Sequence, residues 1–509
     1  MRTTSIGRII DNVGALILRQ IATWSLTTVL ILFLPKYLGD DGFGQVTFAT
    51  ALVTMLLVVT NLGVGTYLVK RVAVGSDEWS DLLWNALAVR LVVSIVAFEL
   101  MLPVLQITTH GELRTLLQIT GVTLIVLSLA RTLDFMIQAL EKMRWLAVTE
   151  VANKAVTAVA GVAVLLLGYG VVAFGLVVLA GAVVALAVDS IALLGFGLKR
   201  PRFDLSLMKV LVWGGVPFLS AGAITQVYQW MDVTSLQLLT RQAVVGWYGA
   251  ALQLETTLHF LPFVLVTALL PAMTRLHARR DTVGFVNMAR RGMALSFLAG
   301  LPLGIGLSLM ARTVIRLLGY PDAFDQSVPV LVILAVTLPI SGALMIMNMI
   351  VVAMDEQAEW VKLMAVALVA GLILNFTLIT GFDRWTNNGA IGAAVAALLA
   401  ESFQIVLAAK LMPAGVIGRE LYSQCGRALV AVAMMAGVVL GGRNLLHLPE
   451  YTLIAAGAVT YASVLLAIGG VRLSELTSLA RQWLSAKGNS ETPERNEMPA
   501  APRLQTTER

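Results

Sequence analysis

Residues 171–198 read VVAFGLVVLAGAVVALAVDSIALLGFGL, and a single charged side chain, Asp189, interrupts their apolar character. A helix rises 1.5 Å per residue, so about 20 apolar residues are enough to cross the hydrocarbon core of a bilayer. In lipid, a helix also satisfies its own backbone donors and acceptors. The stretch therefore predicts a membrane-spanning α-helix.

Similar stretches recur along the whole chain of 509 residues. Hydrophobic residues make up 58% and charged residues 13% of the sequence, against about 25% charged residues in soluble domains. The mean hydropathy is +0.84. The sequence predicts an all-α integral membrane protein with about 14 transmembrane helices. The predicted spans are 9–34, 44–69, 82–106, 116–140, 145–167, 171–198, 207–239, 244–273, 286–309, 328–353, 360–379, 389–411, 424–446 and 451–471.

The basic residues predict the orientation of these spans. The first span carries Arg19 and lacks a small-residue cleavage signature, so we expect a retained helix rather than a signal peptide. Clusters at 199–202 and 275–280 fall on one side of the membrane, which the positive-inside rule assigns to the cytoplasm. Both termini are expected to be cytoplasmic, in a cell inner (plasma) membrane. The rule also accounts for the net charge of +6, and we expect no nucleic-acid partner.

Cysteine and histidine are scarce. The chain has one cysteine and four widely separated histidines. Neither a disulfide nor a cysteine or histidine metal cluster is expected, and no cofactor is expected.

A weak internal repeat divides the chain. Gly44 and Gly246 hold matching places six spans apart, so the two halves would share one orientation, as in one repeat plan of secondary transporters. We expect two six-helix lobes, two extra C-terminal helices and a tail rich in Pro, Glu, Thr and Arg that cannot bury a core. The expected domains are 1–202 (spans 1–6), 203–413 (spans 7–12), 414–472 (spans 13–14) and 487–509 (a disordered cytoplasmic tail).

Charged residues inside predicted spans are costly and commonly face a cavity. The first half holds four cations at a similar depth, roughly 12–15 Å from the cytoplasmic face at 1.5 Å per residue. With them lie Asp189 and Asp134, whereas the second half holds only acids at depth. The cations are Arg19, Arg90, Arg131 and Lys154, and the acids of the second half are Asp232, Glu255 and Glu401.

These charges have a structural and a functional interpretation. Arg131 and Asp134 can pair at i and i+3, and Asp189 can neutralise Arg90 or Lys154. Alternatively, the cations face a water-filled cavity and bind a phosphate or diphosphate. Asp189, Asp232, Glu255 and Glu401 are then candidates for ion coupling or for pairing between the lobes.

Several motifs resemble those of polysaccharide flippases of the multidrug/oligosaccharidyl-lipid/polysaccharide exporter superfamily. LPKYLGDDGFG at 34–44 resembles their first-loop signature, GVP at 215–217 opens span 7, and VGWYGAA at 245–251 opens span 8. ALLP at 268–271 ends span 8, and Asn375 precedes GAIGAA at 389–394. The resemblance covers about residues 9–412. Its glycines and prolines set turns and close packing rather than chemistry. These motif residues are Pro35, Gly39, Gly44, Pro217, Gly246, Pro271 and Asn375.

The resemblance implies a non-enzymatic flippase. It would move a polyprenyl-pyrophosphate-linked oligosaccharide from the cytoplasmic to the outer leaflet by alternating access, for cell-surface polysaccharide biosynthesis. Its partners would be that lipid-linked glycan, membrane lipids, and a polysaccharide polymerase with other assembly proteins.

Three alternatives stay open. A lipid II flippase of the same superfamily has further arginines in spans 2 and 8, where this chain has none and carries Glu255 in span 8. A multidrug or cation antiporter would need an acidic cavity, which only the second half offers. A membrane glycan polymerase or ligase would need a larger external loop than the chain provides.

Overall fold

Helices account for all regular secondary structure in the described part of the chain. The computed structural model describes residues 5–73, 78–109 and 111–469, without the side chains of 5–22, 104–108, 220 and 221. Besides a 3-10 turn at Asp322–Gln326, the α-helices are α1 Ser5–Asn61, α2 Val64–Ala73, α3 Trp79–Thr108, α4 Gly111–Ala139, α5 Met143–Leu166, α6 Val171–Gly195, α7 Leu205–Leu239, α8 Gln242–Thr257, α9 Phe260–Ala278, α10 Thr282–Leu317, α11 Ser327–Ala353, α12 Gln357–Thr386, α13 Gly389–Ala409, α14 Arg419–Asn444 and α15 Glu450–Ala467.

The fold is that of a multi-pass membrane protein. Twelve of the described helices are long and apolar enough to span a membrane, or thirteen if Leu205–Leu219 and Gly222–Leu239, which meet at a 52° bend, form one span. The predicted number of fourteen is therefore not confirmed. Part of the difference lies in α1, where two predicted spans are counted as one helix. The predicted tail at 487–509 lies outside the described residues.

The helix boundaries correct the predicted loop between the first two spans. Residues 35–43 are helical except at Gly39, whose φ of 68° and ψ of −178° separate α1 into two arms. Pro35 lies inside the first arm. A window of hydropathy does not register a break at one residue, so the sequence analysis placed a loop where the chain only bends.

The second predicted span is broken as well. It includes the second arm of α1 and all of α2, with Leu62 (φ 48°) and Gly63 (φ 68°) between them. The Asn61 side chain accepts a hydrogen bond from the Gly65 backbone at 3.1 Å and so caps the start of α2. A Cβ at Gly63 would overlap the carbonyl oxygen of Gly215 in α7, so the break is also a close helix contact.

The eighth predicted span, 244–273, is two helices. α8 ends at Thr257 and α9 begins at Phe260. Pro262 lies in the first turn of α9, where its missing N–H leaves no unmet helical bond. Because Pro262 has no N–H to donate to the Leu258 carbonyl four residues earlier, a helix running straight through this point would lose a backbone hydrogen bond.

The chain divides into two compact units, Met1–Tyr422 and Ser423–Arg509. The predicted boundary at 202/203 between two six-helix lobes stays a prediction. In the second unit, α14 and α15 form a hairpin in which Gly457 packs against Val439 and Met435. Arg443 and Glu450 close that hairpin with an ion pair of 2.9 Å.

In the first unit, α1 crosses α8 with almost no space between the backbones. A Cβ at Gly44 would overlap the Gln242 carbonyl oxygen, and a Cβ at Gly246 would overlap that of Asp40. Beside this crossing, the Trp247 indole donates to the Asp40 carboxylate at 3.0 Å. The pair joins a helix of the predicted first lobe, residues 1–202, to one of the predicted second lobe, residues 203–413.

The start of α7 is fixed by a side-chain cap. The Asp204 carboxylate accepts from the Ser206 hydroxyl and from the Ser206 backbone N–H, each at 2.7 Å. The bond from the hydroxyl, and after it the bond from the backbone, lowers the pKa of Asp204 below its ordinary value. The Asp204 N–H in turn donates to the Asn85 side chain of α3 at 2.8 Å. This cap holds α7 in register with α3.

Gly44→Ala tests the α1–α8 crossing. We expect it to destabilise the protein by about 1–3 kcal/mol because the added methyl group cannot fit against the Gln242 backbone. Gly437→Ala is the matched control, since a Cβ at Gly437 of α14 meets nothing within 4 Å. Thermal unfolding of both purified variants measures the difference, and equal midpoints would contradict a tight crossing.

Candidate functional site

Four helices of the first half bring charged side chains together. We call Arg90 (α3), Arg131 and Asp134 (α4), Lys154 (α5) and Asp189 (α6) the cation cluster. Arg131 and Asp134 form an ion pair of 3.3 Å, as their spacing allows. The Arg131 side chain is nevertheless 59% exposed, so much of its guanidinium remains accessible to another anion.

Arg90 lies behind this pair. It is 1% exposed, and its Nε and Nη1 have no hydrogen-bond partner in the described part of the chain. Arg131 and Asp134 are its electrostatic neighbours. A buried guanidinium with unused donors is costly, and its charge acts strongly on nearby groups because the surrounding dielectric constant is low.

Lys154 and Asp189 complete the cluster with partners that the sequence analysis missed. Lys154 interacts electrostatically with Glu150 and with Arg131. Glu150 precedes it by four residues on α5, a helical spacing that could have identified the pair. The Asp189 carboxylate accepts from the Thr149 hydroxyl at 2.5 Å and lies near Asp134. The hydrogen-bond partner of Asp189 is therefore a hydroxyl, whereas the sequence analysis suggested that Asp189 neutralises Arg90 or Lys154.

Arg19 lies on α1, and its side chain is outside the described residues. Its predicted place in the cation cluster stays a prediction.

The second half holds a separate acid cluster, which we define as Asp232 (α7), Glu255 (α8) and Glu401 (α13). The Asp232 carboxylate accepts from the Tyr248 hydroxyl at 2.8 Å and from the Asn375 amide at 2.6 Å. Asn375, a motif residue in the sequence analysis, thus belongs to a polar site. Tyr248 has no charge or spacing that would have pointed to it.

Glu255 and Glu401 extend the acid cluster. Glu255 is 3% exposed, and His259 lies 3.2 Å from its carboxylate. The same His259 Nε2 that faces Glu255 also lies 2.8 Å from the Ser341 hydroxyl. Glu401 interacts electrostatically with both Glu255 and Asp232, and its Oε2 has no hydrogen-bond partner among the described residues.

The two clusters have opposite chemistry. The cation cluster offers guanidinium and ammonium donors to an anion, of which Arg131 is the most accessible. The acid cluster offers carboxylates to a proton or a monovalent cation. In the described part of the chain, no group of three or more His, Cys, Asp or Glu side chains is arranged to hold a metal ion.

The remaining motif residues lie outside both clusters. Pro217 lies in α7 two residues before its bend, and Pro271 lies inside α9. Gly39, Gly44 and Gly246 form the break and the crossing described above.

The sequence of the chain is similar to one protein family and to two curated relatives. The model of a family described as "Polysaccharide biosynthesis protein" matches residues 9–277. The chain is 24% identical over 309 residues to the probable low-salt glycan biosynthesis flippase Agl15 of Haloferax volcanii. The matched residues make up 60% of this chain and 63% of that protein. It is 27% identical over 249 residues to the probable flippase AglR of the same organism, covering 47% and 50%. The chain thus matches less than two thirds of the length of either relative.

The fold also resembles a solved structure. The lipid II flippase MurJ in an inward closed conformation superposes with a TM-score of 0.70 at 12% identity, covering 89% of this chain and 98% of that one. At this identity the likeness concerns the fold, and it agrees with the predicted all-helical transporter architecture.

Tyr248→Phe tests the geometry at Asp232. Removing the hydroxyl leaves a buried carboxylate short of one donor, and we expect a loss of about 1–2 kcal/mol in stability. Tyr451→Phe is the control, since Tyr451 is 74% exposed. Thermal unfolding followed by tryptophan fluorescence measures both, and an unchanged midpoint for Tyr248→Phe would contradict the hydrogen bond.

Proposed function

Since the chain belongs to the polysaccharide biosynthesis protein family, we propose that it is a flippase for a polyprenyl-pyrophosphate-linked oligosaccharide. It carries the glycan headgroup from the cytoplasmic to the outer leaflet of the plasma membrane, for cell-surface polysaccharide biosynthesis. The proposed activity is transport rather than catalysis. Both termini lie in the cytoplasm, as the distribution of Lys and Arg predicts.

The observation that carries the proposal is the cation cluster. Arg131 combines a mostly accessible side chain with a buried cationic neighbour, Arg90. Guanidinium groups bind phosphate oxygens in a bidentate fashion, and Lys154 adds a mobile point charge. A diphosphate would compensate the part of this positive charge that Asp134 and Asp189 leave unbalanced. Arg19 is proposed as a fourth member.

Alternating access is the proposed mechanism. The two halves act as lobes, and the headgroup occupies the space between them while the polyprenyl tail stays in the bilayer. The breaks at Gly39, at Leu62–Gly63 and between α8 and α9 supply points where helices can change direction without disrupting a continuous helix. Release of the headgroup then occurs on the outer side.

The membrane potential can drive this cycle. A negative charge that moves outward across an inside-negative membrane runs down the potential, which releases about 2.3 kcal/mol per charge per 100 mV. For a diphosphate with about two charges this is about 4–5 kcal/mol per 100 mV. The sequence lacks a Gly-x-x-x-x-Gly-Lys-Ser/Thr phosphate-binding loop, and the proposal does not require one.

The acid cluster supports a second role within the same cycle. Asp232, Glu255 and Glu401 are proposed to bind a proton or a sodium ion whose gradient assists transport, with Asp189 as a further candidate. The same acids favour the rival function of a multidrug or cation antiporter, because cationic cargo needs carboxylates. The cation cluster argues against that rival, since it would repel such cargo.

Arg131→Gln tests the anion site. Loss of charge-assisted hydrogen bonds worth about 1.5–3 kcal/mol should slow flipping by about 10- to 100-fold. Flipping is measured in proteoliposomes with a fluorescently tagged glycan that an external reductant quenches once it reaches the outer leaflet.

Asp134→Asn is the matched control for Arg131→Gln. It breaks the same ion pair of 3.3 Å but keeps the cation, so it separates a structural from a binding role. We expect it to retain most of the flux. Equal slowing by both substitutions would show that the ion pair, and not the free guanidinium, matters.

The proposed contribution of the membrane potential to transport has its own test. In proteoliposomes with an imposed inside-negative potential, outward flux of the diphosphate-linked glycan should rise relative to flux at a potential clamped to zero, because each charge gains about 2.3 kcal/mol per 100 mV. Identical flux in the two conditions would contradict charge movement. A monophosphate-linked glycan should respond less steeply.

A further inference from the structure

A cleft lies between α2 and α7, and none of its lining residues belongs to either cluster described above. Its volume is about 610 Å³, within the range of about 300–1,000 Å³ of small-molecule sites. α2 belongs to the predicted first lobe, residues 1–202, and α7 to the predicted second lobe, residues 203–413. The lining residues are Tyr67, Lys70, Arg71, Gly214, Pro217 and Phe218.

One wall of the cleft is cationic. Lys70 and Arg71 occupy the last turn of α2. The Arg71 guanidinium donates to the Tyr67 hydroxyl at 3.2 Å, which orients it along the cleft. Among the residues that the structure describes, neither cation forms an ion pair with a carboxylate. Their remaining donors are available to an anionic ligand.

The facing wall is apolar. It consists of Gly214, Pro217 and Phe218 on α7, close to the point where that helix bends by 52°. A Cβ at Gly214 would meet the Tyr67 ring at 2.5 Å, so the absence of a side chain there lets the tyrosine lie against α7. Phe218 is 37% exposed and presents a hydrocarbon surface opposite the cations.

A cleft with one cationic and one apolar wall matches a phosphate-bearing lipid. The phosphates would contact Lys70 and Arg71, and the first carbons of the chain would contact Pro217 and Phe218. Basic residues at a helix end ordinarily act as anchors for the membrane surface. Here they line a concave space of about 610 Å³ instead, which a flat anchoring surface does not require.

We infer that this cleft is a docking site for the lipid diphosphate of the cargo, occupied before the headgroup reaches the cation cluster; the inference rests on the proposed function. The position between a helix of each half favours cargo over bulk lipid, because the headgroup must pass between the halves. Lys70 and Arg71 are then binding residues of the flippase that motif analysis did not identify.

Native mass spectrometry of the full chain in detergent tests the inference. The probes are an undecorated polyprenyl diphosphate and phosphatidylglycerol, each titrated separately. The variant is Lys70→Gln with Arg71→Gln, and its charge-matched control is Lys199→Gln with Arg200→Gln, two exposed cations outside the cleft. Lys70→Arg with Arg71→Lys keeps both charges and reports on folding, together with size-exclusion profiles.

We expect the Gln variant to bind the polyprenyl diphosphate about tenfold more weakly, a change of about 1.4 kcal/mol, while the control and the charge-keeping variant stay close to wild type. Phosphatidylglycerol binding should change less. Equal weakening for both lipids would overturn the assignment to cargo and indicate a bulk anionic lipid. Unchanged binding of both lipids would overturn the site itself.

Flux measurements separate this inference from the proposed function. If wild-type protein binds the diphosphate in the cleft but moves no glycan in proteoliposomes, the proposed function fails while the binding site stands. If wild type transports and the Gln variant binds and transports equally well, the docking site fails and the function stands.

Discussion

A backbone carbonyl inside an apolar helix must find a donor, and the Ile31 carbonyl of α1 finds one in the other half of the sequence. Pro35 occupies the position four residues later and has no N–H to donate. The Tyr320 hydroxyl donates to that carbonyl instead, at 2.8 Å. Burial raises the pKa of Tyr320, so its proton is retained for this bond. An unpaired carbonyl in lipid would cost several kcal/mol, about as much as a large core mutation.

The contacts around that bond follow from it. The hydrogen bond holds Tyr320 against the first arm of α1. Thirteen residues after Ile31, at Gly44, α1 crosses α8 at Gly246. Asp40 and Trp247 bond beside the crossing. These contacts join helices of the two halves around one short stretch, residues 31–44. The polar groups of the proposed transport cycle lie elsewhere on the same helices and on their neighbours.

The sequence predicted the helical membrane fold because apolar runs of about 20 residues have few other stable solutions in lipid. It did not predict the break at Leu62–Gly63 or the division between α8 and α9. Such breaks depend on single dihedral angles and on one proline, which a window of hydropathy averages away. The residues at these breaks, Leu62, Gly63 and Pro262, lie inside predicted spans and were not among the motif residues.

The charged groups show the same limit. Depth along each span grouped Arg90, Arg131 and Lys154, since helix rise converts residue number into height, and in the structure Arg131 interacts electrostatically with the other two. The partners were less predictable: Thr149 on Asp189 and Tyr248 on Asp232 are neutral side chains from other helices. Which neutral group meets a carboxylate depends on helix rotation and packing, and a single sequence does not encode either in a local pattern.

The most direct measurement is an electron cryomicroscopy structure of the full chain with a polyprenyl-diphosphate-linked glycan bound. The account predicts at least one class of particles in which the phosphates lie within hydrogen-bond distance of Arg131 and Lys154. A set of structures in which the phosphates contact neither side chain in any class would contradict it.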